Sequence, residues 1–190
     1  MFNHHRGLWG YTGLADDGAP LTIQSTGMGG PSAAIVITEL AELGARRLLR
    51  IGTCGALNPV LALGDLVVVT ESIPADGTSR ALGAQDTVRP DEELLGALLA
   101  AGEGNAHAGP VVSTDLFYDG TDQTDWTERG AVAVEMETAT LFALARRRRL
   151  RAASLLLVSD LLTPHRVRID ADALRDAERR LGEVAVRAIA

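Results

Sequence analysis

The sequence predicts an α/β fold in which helices flank a mixed, mostly parallel sheet. Strand patterns alternate with helical patterns along the chain, as in folds built from strand–helix–strand units. Residues 152–158 form a very apolar run, which is typical of a strand covered on both faces. Residues 65–70 are rich in valine and bounded by Gly64, as expected for a second strand. We expect a single domain over residues 1–190, because this length can bury about 70% of the extended chain's surface.

The first part of the chain gives an extended run followed by a helix. Residues 20–25 are extended and end in the glycines of 27–30. Pro31 suits the first turn of a helix, and apolar residues recur at helical spacing over 32–43. Gly44 is a suitable C-terminal stop for that helix.

The alternation continues through the middle of the chain. Residues 47–51 are expected to form a buried strand that ends at the Gly-rich turn 52–55. Residues 91–101 then suit a helix, residues 109–113 a short strand, and residues 134–149 a long helix.

The last helix is expected over residues 170–189, where the pattern is amphipathic. The arginines of 146–149 fall at the end of the preceding predicted helix. They suit a solvated helix end, where the dipole favours cations, or a polyanion site. Residues 71–90 and 114–130 are the longest irregular segments, and such loops often carry the functional site.

Composition excludes several classes of function. The net charge is −7, so a bulk electrostatic attraction to nucleic acid or membrane is not expected. All 18 cations are arginine, which excludes a Schiff-base lysine and a P-loop lysine. Cys54 is the single cysteine, so an intramolecular disulfide and a Cys-rich zinc site are excluded. Residues 1–20 show no signal-peptide pattern and no apolar run reaches membrane-spanning length, so we expect a cytoplasmic protein.

Four polar clusters are expected where strands end, which is where open α/β sheets bind ligands. The first is residues 27–30, a tight turn or a loop whose N–H groups approach an anion or a sugar. The second holds Arg50 and Thr53, which suit an oxyanion such as phosphate, although Arg50 alone also suits a surface charge. Cys54, directly after Thr53, is expected to pack rather than to act as a nucleophile.

The other two clusters contribute carboxylates. Glu135 and Glu137 bracket Met136, either to compensate a helix dipole or to accept hydrogen bonds from a ribose diol. Ser159 and Asp160 end the most apolar strand. Asp160 either caps the next turn or, if desolvation raises its pKa, serves as a general acid near neutrality.

Six stretches together resemble one family. In the family's order they are residues 6–13, 27–32, 50–56, 113–118, 134–137 and 158–160. The sequence resembles the nucleoside phosphorylase superfamily, which includes uridine phosphorylase, bacterial purine nucleoside phosphorylase and the methylthioadenosine/S-adenosylhomocysteine nucleosidases. The likeness covers nearly the whole chain and is greatest to bacterial purine nucleoside phosphorylase. It implies a three-layer fold with a central mixed sheet flanked by helices.

The resemblance assigns phosphate binding to two arginines and one threonine. Arg50 and Thr53 would bind phosphate within one subunit, and Arg6 would reach the phosphate of a neighbouring subunit's site. His4 and His5 are weaker candidates to cross the same interface. The implied assembly is a homo-oligomer, either a dimer or a trimer of dimers.

Sugar and base contacts follow from the same resemblance. Met136 and Glu137 would hold the ribose, with Glu137 on its hydroxyls, and Met28 would line the sugar pocket. Phe117 would stack on or flank the base, with plain core packing as its alternative, and Ser159 would lie beside the base.

Asp160 points to the purine-specific members, in which an aspartate at this place protonates purine N7. Arg166 is a weak candidate for the arginine that assists this aspartate. The implied reaction is cleavage of the N-glycosidic bond by phosphorolysis, with inorganic phosphate as co-substrate and no metal or organic cofactor. A phosphate-independent nucleosidase and a catalytically inactive nucleoside-binding relative are the alternatives.

One departure from the family concerns the start of the chain. Family members begin with a further strand and a Gly-rich loop that supplies phosphate contacts, and Arg6 lies almost directly after Met1 here. We therefore expect the central sheet to have an open edge, which an oligomer contact or a rearranged N-terminal segment would cover.

Overall fold

Two layers of helices enclose a strongly curved sheet in the structure, a computed structural model that describes residues 1, 3–15, 17–117 and 124–189. Tyr118, part of one family-like stretch, lies outside the described residues. In chain order the elements are β1 (Gly10–Leu14), β2 (Pro20–Gln24), α1 (Gly30–Glu42), β3 (Arg47–Ala56), β4 (Leu66–Ala75), α2 (Gly77–Ala81), α3 (Glu92–Ala101), β5 (Ala106–Thr114), α4 (Thr124–Glu128), β6 (Ala133–Glu135), α5 (Thr138–Arg148), β7 (Arg151–Leu161), β8 (Val167–Arg168) and α6 (Ala171–Ile189).

The central sheet is mixed and closes on itself. Strand β3 lies parallel to β7, and β7 lies antiparallel to β4. Strands β4, β5 and β6 follow in parallel, and β6 returns to β3 through an antiparallel contact at Gly55 and Ala56. Strand β8 adds to β7 in antiparallel register. The α/β fold with a mixed sheet predicted from the sequence is confirmed, and the closure brings the ends of β3, β6 and β7 together.

Alternating side chains of the central strands fill two apolar layers. On β7, Leu156 and Val158 join the core beneath α1 and α5, whereas Leu155 and Leu157 join the core beneath α3 and α6. All four are fully buried. Burying one such side chain stabilises the fold by about 1.5–3 kcal/mol, so this strand anchors both helical layers. The prediction of a strand covered on both faces is confirmed.

The predicted helix over 134–149 is wrong at its start. Residues Ala133–Glu135 form β6 instead, and α5 begins at Thr138. Val134 and Glu135 pair with β5, so their backbone groups are used in the sheet. The Glu135 carboxylate then accepts hydrogen bonds from the N–H groups of Glu137 and Thr138. These bonds satisfy donors that a helix N-terminus leaves unpaired, and they fix the point where α5 begins.

Strand β3 also differs from its prediction. The strand does not end at residue 51 but continues through the expected turn to Ala56, because residues 52–56 still pair in parallel with β7, with a shift of register between Cys54 and Gly55. Arg50 therefore lies within a strand rather than at its end.

Other boundaries differ in the loops and near the N-terminus. The segments expected to be irregular contain two short helices, α2 and α4. Within the described ranges, strand β2 pairs only with β1, in a separate hairpin. The sequence predicted that the glycines of 27–30 follow a strand of the central sheet, and this is wrong, because they follow the hairpin.

The expected open edge is present. Opposite β7, strand β3 meets β6 only at Gly55 and Ala56. From Arg47 to Cys54 this edge has no neighbouring strand among the described residues. Ile51 on this stretch is 43% exposed, which is unusual for an apolar residue of a central strand.

Candidate active site

One open cavity of about 1590 Å³ gathers most of the residues singled out from the sequence. The wall is formed by the α1 N-terminal loop, β3, β6 and the C-terminal part of β7. The predicted site residues that line it are Met28, Arg50, Thr53, Phe117, Met136, Glu137, Ser159, Asp160 and Arg166. His4, His5 and Arg6 lie elsewhere, exposed on a short 3₁₀ turn over His5–Gly7.

Arg50 is held by two carboxylates on the floor of the cavity. Its Nη2 lies 2.9 Å from Glu135 Oε2 and 2.6 Å from Glu137 Oε2. Its Nε donates to Glu135 Oε2 at 3.1 Å. The Arg50 side chain is only 14% exposed, so these ion pairs are largely shielded from solvent. The surface-charge alternative for Arg50 is therefore wrong.

Glu135 positions this arginine, a role that the sequence analysis did not assign to it. Its side chain is fully buried. Besides Arg50, it accepts hydrogen bonds from the Ser113 hydroxyl and from the N–H groups of Glu137 and Thr138. A buried carboxylate needs such a set of donors, because an unpaired buried charge is very costly. The signal in the sequence was its place two residues before Glu137.

Glu137 bridges Arg50 and the glycine loop. Its Oε1 accepts a hydrogen bond from the Gly29 N–H. Gly29 lies at φ 82°, where glycine meets no steric penalty, so the loop can turn this amide toward the carboxylate. Burial raises the pKa of Glu137, Glu135 raises it further, and Arg50 opposes both. A carboxylate offers about four acceptor positions, so Glu137 retains capacity for ligand hydroxyls.

The absence of a side chain at Gly52 leaves room for the Arg50 guanidinium. A Cβ atom at Gly52 would lie 2.6 Å from Arg50 Nη1, because residues two apart share a face of β3. The guanidinium thus folds back over the strand and toward α5. Thr53, the next residue, is exposed and lines the same cavity.

Asp160 forms a second polar centre on the cavity wall. The residue is 5% exposed. Its Oδ1 accepts a hydrogen bond from Arg166 Nε at 2.8 Å and lies 2.7 Å from Arg166 Nη2 in an ion pair, and its Oδ2 accepts a hydrogen bond from the Ser159 hydroxyl at 2.8 Å. This arrangement supports Arg166, the weakly favoured candidate, as the residue that orients the Asp160 carboxyl.

Phe117 connects this second centre to the open part of the cavity. The Arg166 Cζ lies 4.7 Å from the centroid of the Phe117 ring, a cation–π distance. Phe117 is 54% exposed, so the interpretation of Phe117 as a core residue is wrong. An aromatic face beside a buried carboxyl suits a planar heteroaromatic ligand.

Cys54 packs in the core, as expected. It is 4% exposed, and burial, reinforced by Glu135, raises the pKa of its thiol, so it is unsuited to nucleophilic attack.

The described parts of the chain hold neither a cluster of metal-ligating side chains nor a membrane-spanning helix. No group of three or more His, Cys, Asp or Glu side chains there could hold a metal ion. None of the helices in these parts is long and apolar enough to cross a membrane.

Sequence comparisons identify the family of the chain. A family model described as "Phosphorylase superfamily" matches residues 1–190. The guanosine phosphorylase of Halorubrum lacusprofundi is 45% identical over 148 residues, 75% of this chain and 61% of that protein. The uridine phosphorylase of Escherichia coli is 36% identical over 156 residues, 72% of this chain and 62% of that protein. A DeoD-type purine nucleoside phosphorylase of Jannaschia sp. is 39% identical over 170 residues, 83% of this chain and 70% of that protein. The chain thus spans about three fifths of the length of the first two relatives.

Proposed function

Because the chain belongs to the phosphorylase superfamily, we propose that it cleaves the N-glycosidic bond of purine nucleosides by phosphorolysis. The products would be the free base and ribose 1-phosphate. The observation that carries the proposal is the buried, Arg166-oriented carboxyl of Asp160 on the same cavity wall as the Arg50 centre. The relatives named for guanosine and for purine nucleosides support the same class of substrate.

Asp160 is the general acid in this reaction. The bond from C1′ to the purine breaks with its electron pair going to the base, and the Asp160 proton moves to purine N7. The departing base is thereby neutralised, and loss of such a proton donor usually costs about 10²–10⁴-fold in rate. Phe117 and Ser159 border the base, and the phenyl face of Phe117 supports it by stacking.

Phosphate supplies the nucleophile and binds at Arg50 and Thr53. Arg50 Nη1 donates to none of the described residues, whereas Nε and Nη2 are engaged by Glu135 and Glu137. A guanidinium has five N–H donors in a rigid fork, so the Nη1 hydrogens remain available to a phosphate oxygen. The anion would stabilise the oxocarbenium-like sugar and then attack C1′. Inorganic phosphate is the co-substrate, and the reaction uses no other cofactor.

The ribose lies between these two centres. Glu137 accepts hydrogen bonds from the sugar hydroxyls with the acceptor positions that Gly29 and Arg50 leave. Met136 and Met28 supply apolar contacts, and Met28 is 86% exposed at the cavity mouth.

The active assembly is a homo-oligomer, either a dimer or a trimer of dimers. Arg6 would reach the phosphate of a neighbouring subunit's site, and His4 or His5 would cross the same interface. Support comes from their exposure on the N-terminal turn, away from the cavity of their own chain.

Chromatographic measurement of base release tests the proposal. Inosine, guanosine, adenosine, methylthioadenosine and uridine are incubated with the protein, with and without phosphate. Purine release that requires phosphate is expected, and release of no base from any of them would overturn the proposal. Asp160→Asn should lower purine release at least about a hundredfold, whereas the exposed Asp86→Asn should leave it unchanged. A near wild-type rate for Asp160→Asn would remove its role as the acid.

Hydrolysis is the second candidate, and one observation favours it. Two carboxylates already share the Arg50 guanidinium, so a further anion meets two negative charges there. Equal base release without phosphate would establish water as the nucleophile, and Arg50 would then serve to position Glu137. Binding of nucleosides without release would instead indicate an inactive nucleoside-binding protein.

A further inference from the structure

Arg168 faces the same cavity from the short strand β8. Strand β8 is antiparallel to β7, and Arg168 lies directly opposite Asp160 in the register. Residues opposite each other in an antiparallel pair have Cβ atoms about 4.5–5.5 Å apart and project to one face of the sheet. Arg168 accordingly appears among the residues that line the cavity. A second guanidinium therefore lies beside the carboxyl that the proposed function makes the acid.

The two neighbouring arginines differ in their partners. Arg166 is engaged by Asp160 and lies over Phe117. Arg168 is exposed, and its side chain makes no hydrogen bond and no ion pair with any residue in the described ranges 1, 3–15, 17–117 and 124–189. Asp160 lies opposite it in register but is not within ion-pair distance. The donors of Arg168 thus remain available to a ligand in the cavity.

The position of Arg168 matches the chemistry of one purine edge. N7 and the substituent at position 6 are adjacent on that edge, and in 6-oxopurines both are acceptors. When Asp160 contacts N7, the guanidinium of Arg168, its partner on the neighbouring strand, lies near position 6 of the purine. We propose that Arg168 donates to O6 and thereby selects 6-oxopurine nucleosides over 6-aminopurine nucleosides, an inference that rests on the proposed function.

The same contact discriminates against adenine by repulsion. The 6-amino group of adenine is a donor, so it would present N–H groups to a side chain that has only donors. A site built to pair with one group rejects an analogue that lacks it, because the polar groups of the site are then left unpaired. Arg168 therefore contributes to specificity both by attraction and by exclusion.

We expect Arg168 to favour 6-oxopurine nucleosides in the rate of bond cleavage as well as in binding. As the bond to C1′ breaks, negative charge develops on the purine and spreads to O6. A guanidinium at O6 stabilises that charge more strongly than it stabilises the neutral substrate, so it lowers the barrier for 6-oxopurines. The expected signature is a larger effect on kcat than on KM.

The decisive variant is Arg168→Met, which keeps the length of the side chain and removes its donors. Loss of a hydrogen bond from a charged donor should lower kcat/KM for inosine and guanosine about 10- to 150-fold. For adenosine, kcat/KM should stay within about threefold of wild type or rise, because no hydrogen bond is lost. Arg179→Met on α6 is the matched control, since Arg179 is exposed and outside the cavity, and its values should equal those of wild type.

Base affinity gives a second readout that does not need turnover. Calorimetric titration of the full chain with hypoxanthine and adenine should show tighter binding of hypoxanthine, and Arg168→Met should abolish this difference. A wild-type preference for adenosine and adenine, or an equal loss for all nucleosides in Arg168→Met, would overturn the role of Arg168 and leave the proposed function intact. Absence of base release from every nucleoside would overturn the proposed function, and the titration would still decide whether Arg168 reads O6.

Discussion

Glu135→Gln is the substitution with the clearest predicted consequence, because it changes one charge at almost constant shape. Glutamine keeps an acceptor oxygen for Arg50 and for the Glu137 and Thr138 N–H groups. Its amide NH₂ can replace Oε1, where the Ser113 hydroxyl can rotate to accept in place of donating. The loss is then the negative charge that faces Arg50, together with the weaker Thr138 N–H contact to Oε1.

The magnitude follows from the contacts that lose charge assistance. Arg50 Nε and Nη2 both donate to Glu135 Oε2, and hydrogen bonds to charged groups contribute about 1.5–3 kcal/mol each. Glu137 still neutralises Arg50 in the variant, so we expect a loss of about 3 kcal/mol, the lower end of the range for breaking a buried ion pair. A protein of this size would then lose about 6–12 °C in Tm.

Urea unfolding and thermal melting of both proteins measure this loss. Glu93→Gln is the matched control, since it removes a carboxylate that pairs with Arg151 but is 78% exposed. Solvent screens an exposed pair of this kind, so this control should change Tm little. A loss below about 1 kcal/mol for Glu135→Gln would refute the reasoning, because it would mean that the buried arginine does not depend on Glu135.

Two further predictions concern stability. Gly30→Ala places a Cβ 2.7 Å from Thr140 Oγ1, so it should lower the free energy of unfolding in urea by about 1–3 kcal/mol. The Cβ of Gly96→Ala meets open space, so this variant should raise the free energy of unfolding by about 0.5–1 kcal/mol. Equal effects of the two substitutions would contradict this reasoning. Burial raises the pKa of Glu137 above its ordinary value of 4.5, so the folded protein binds this proton more tightly than the unfolded chain does. The resulting contribution to the free energy of unfolding is fully present below pH 4.5 and is lost as the pH rises through the raised pKa of the folded state. Glu137→Gln should therefore gain unfolding free energy relative to wild type with rising pH, and a difference independent of pH would count against it.

The central strands could be predicted because their burial leaves a direct trace in composition. Residues 152–158 are apolar at every position but one, since each successive side chain enters one of two cores. The long helices α1 and α6 could be predicted for the corresponding reason, a single apolar face at helical spacing. By contrast, β6 is only three residues long, and its sequence pattern is that of the first turn of a helix. Its identity depends on pairing with β5, which lies about twenty residues away in the sequence and leaves no local signal.

The candidate site shows the same limit at the level of single side chains. Sequence patterns indicated Arg50 and Glu137 individually, through their neighbours and through a family likeness. They could not indicate that Glu137 and Glu135 would both bind Arg50, because this contact depends on β3 meeting β6 at Gly55 and closing the sheet. Nor could they show that Gly29 would donate to Glu137, 108 residues away. Residue types carry local chemistry, but the charge state and the free donors of a site are set by such long-range pairing. For this reason the Nη1 donors of Arg50 and the guanidinium of Arg168, neither of which has a partner among the described residues, became visible only in the folded chain.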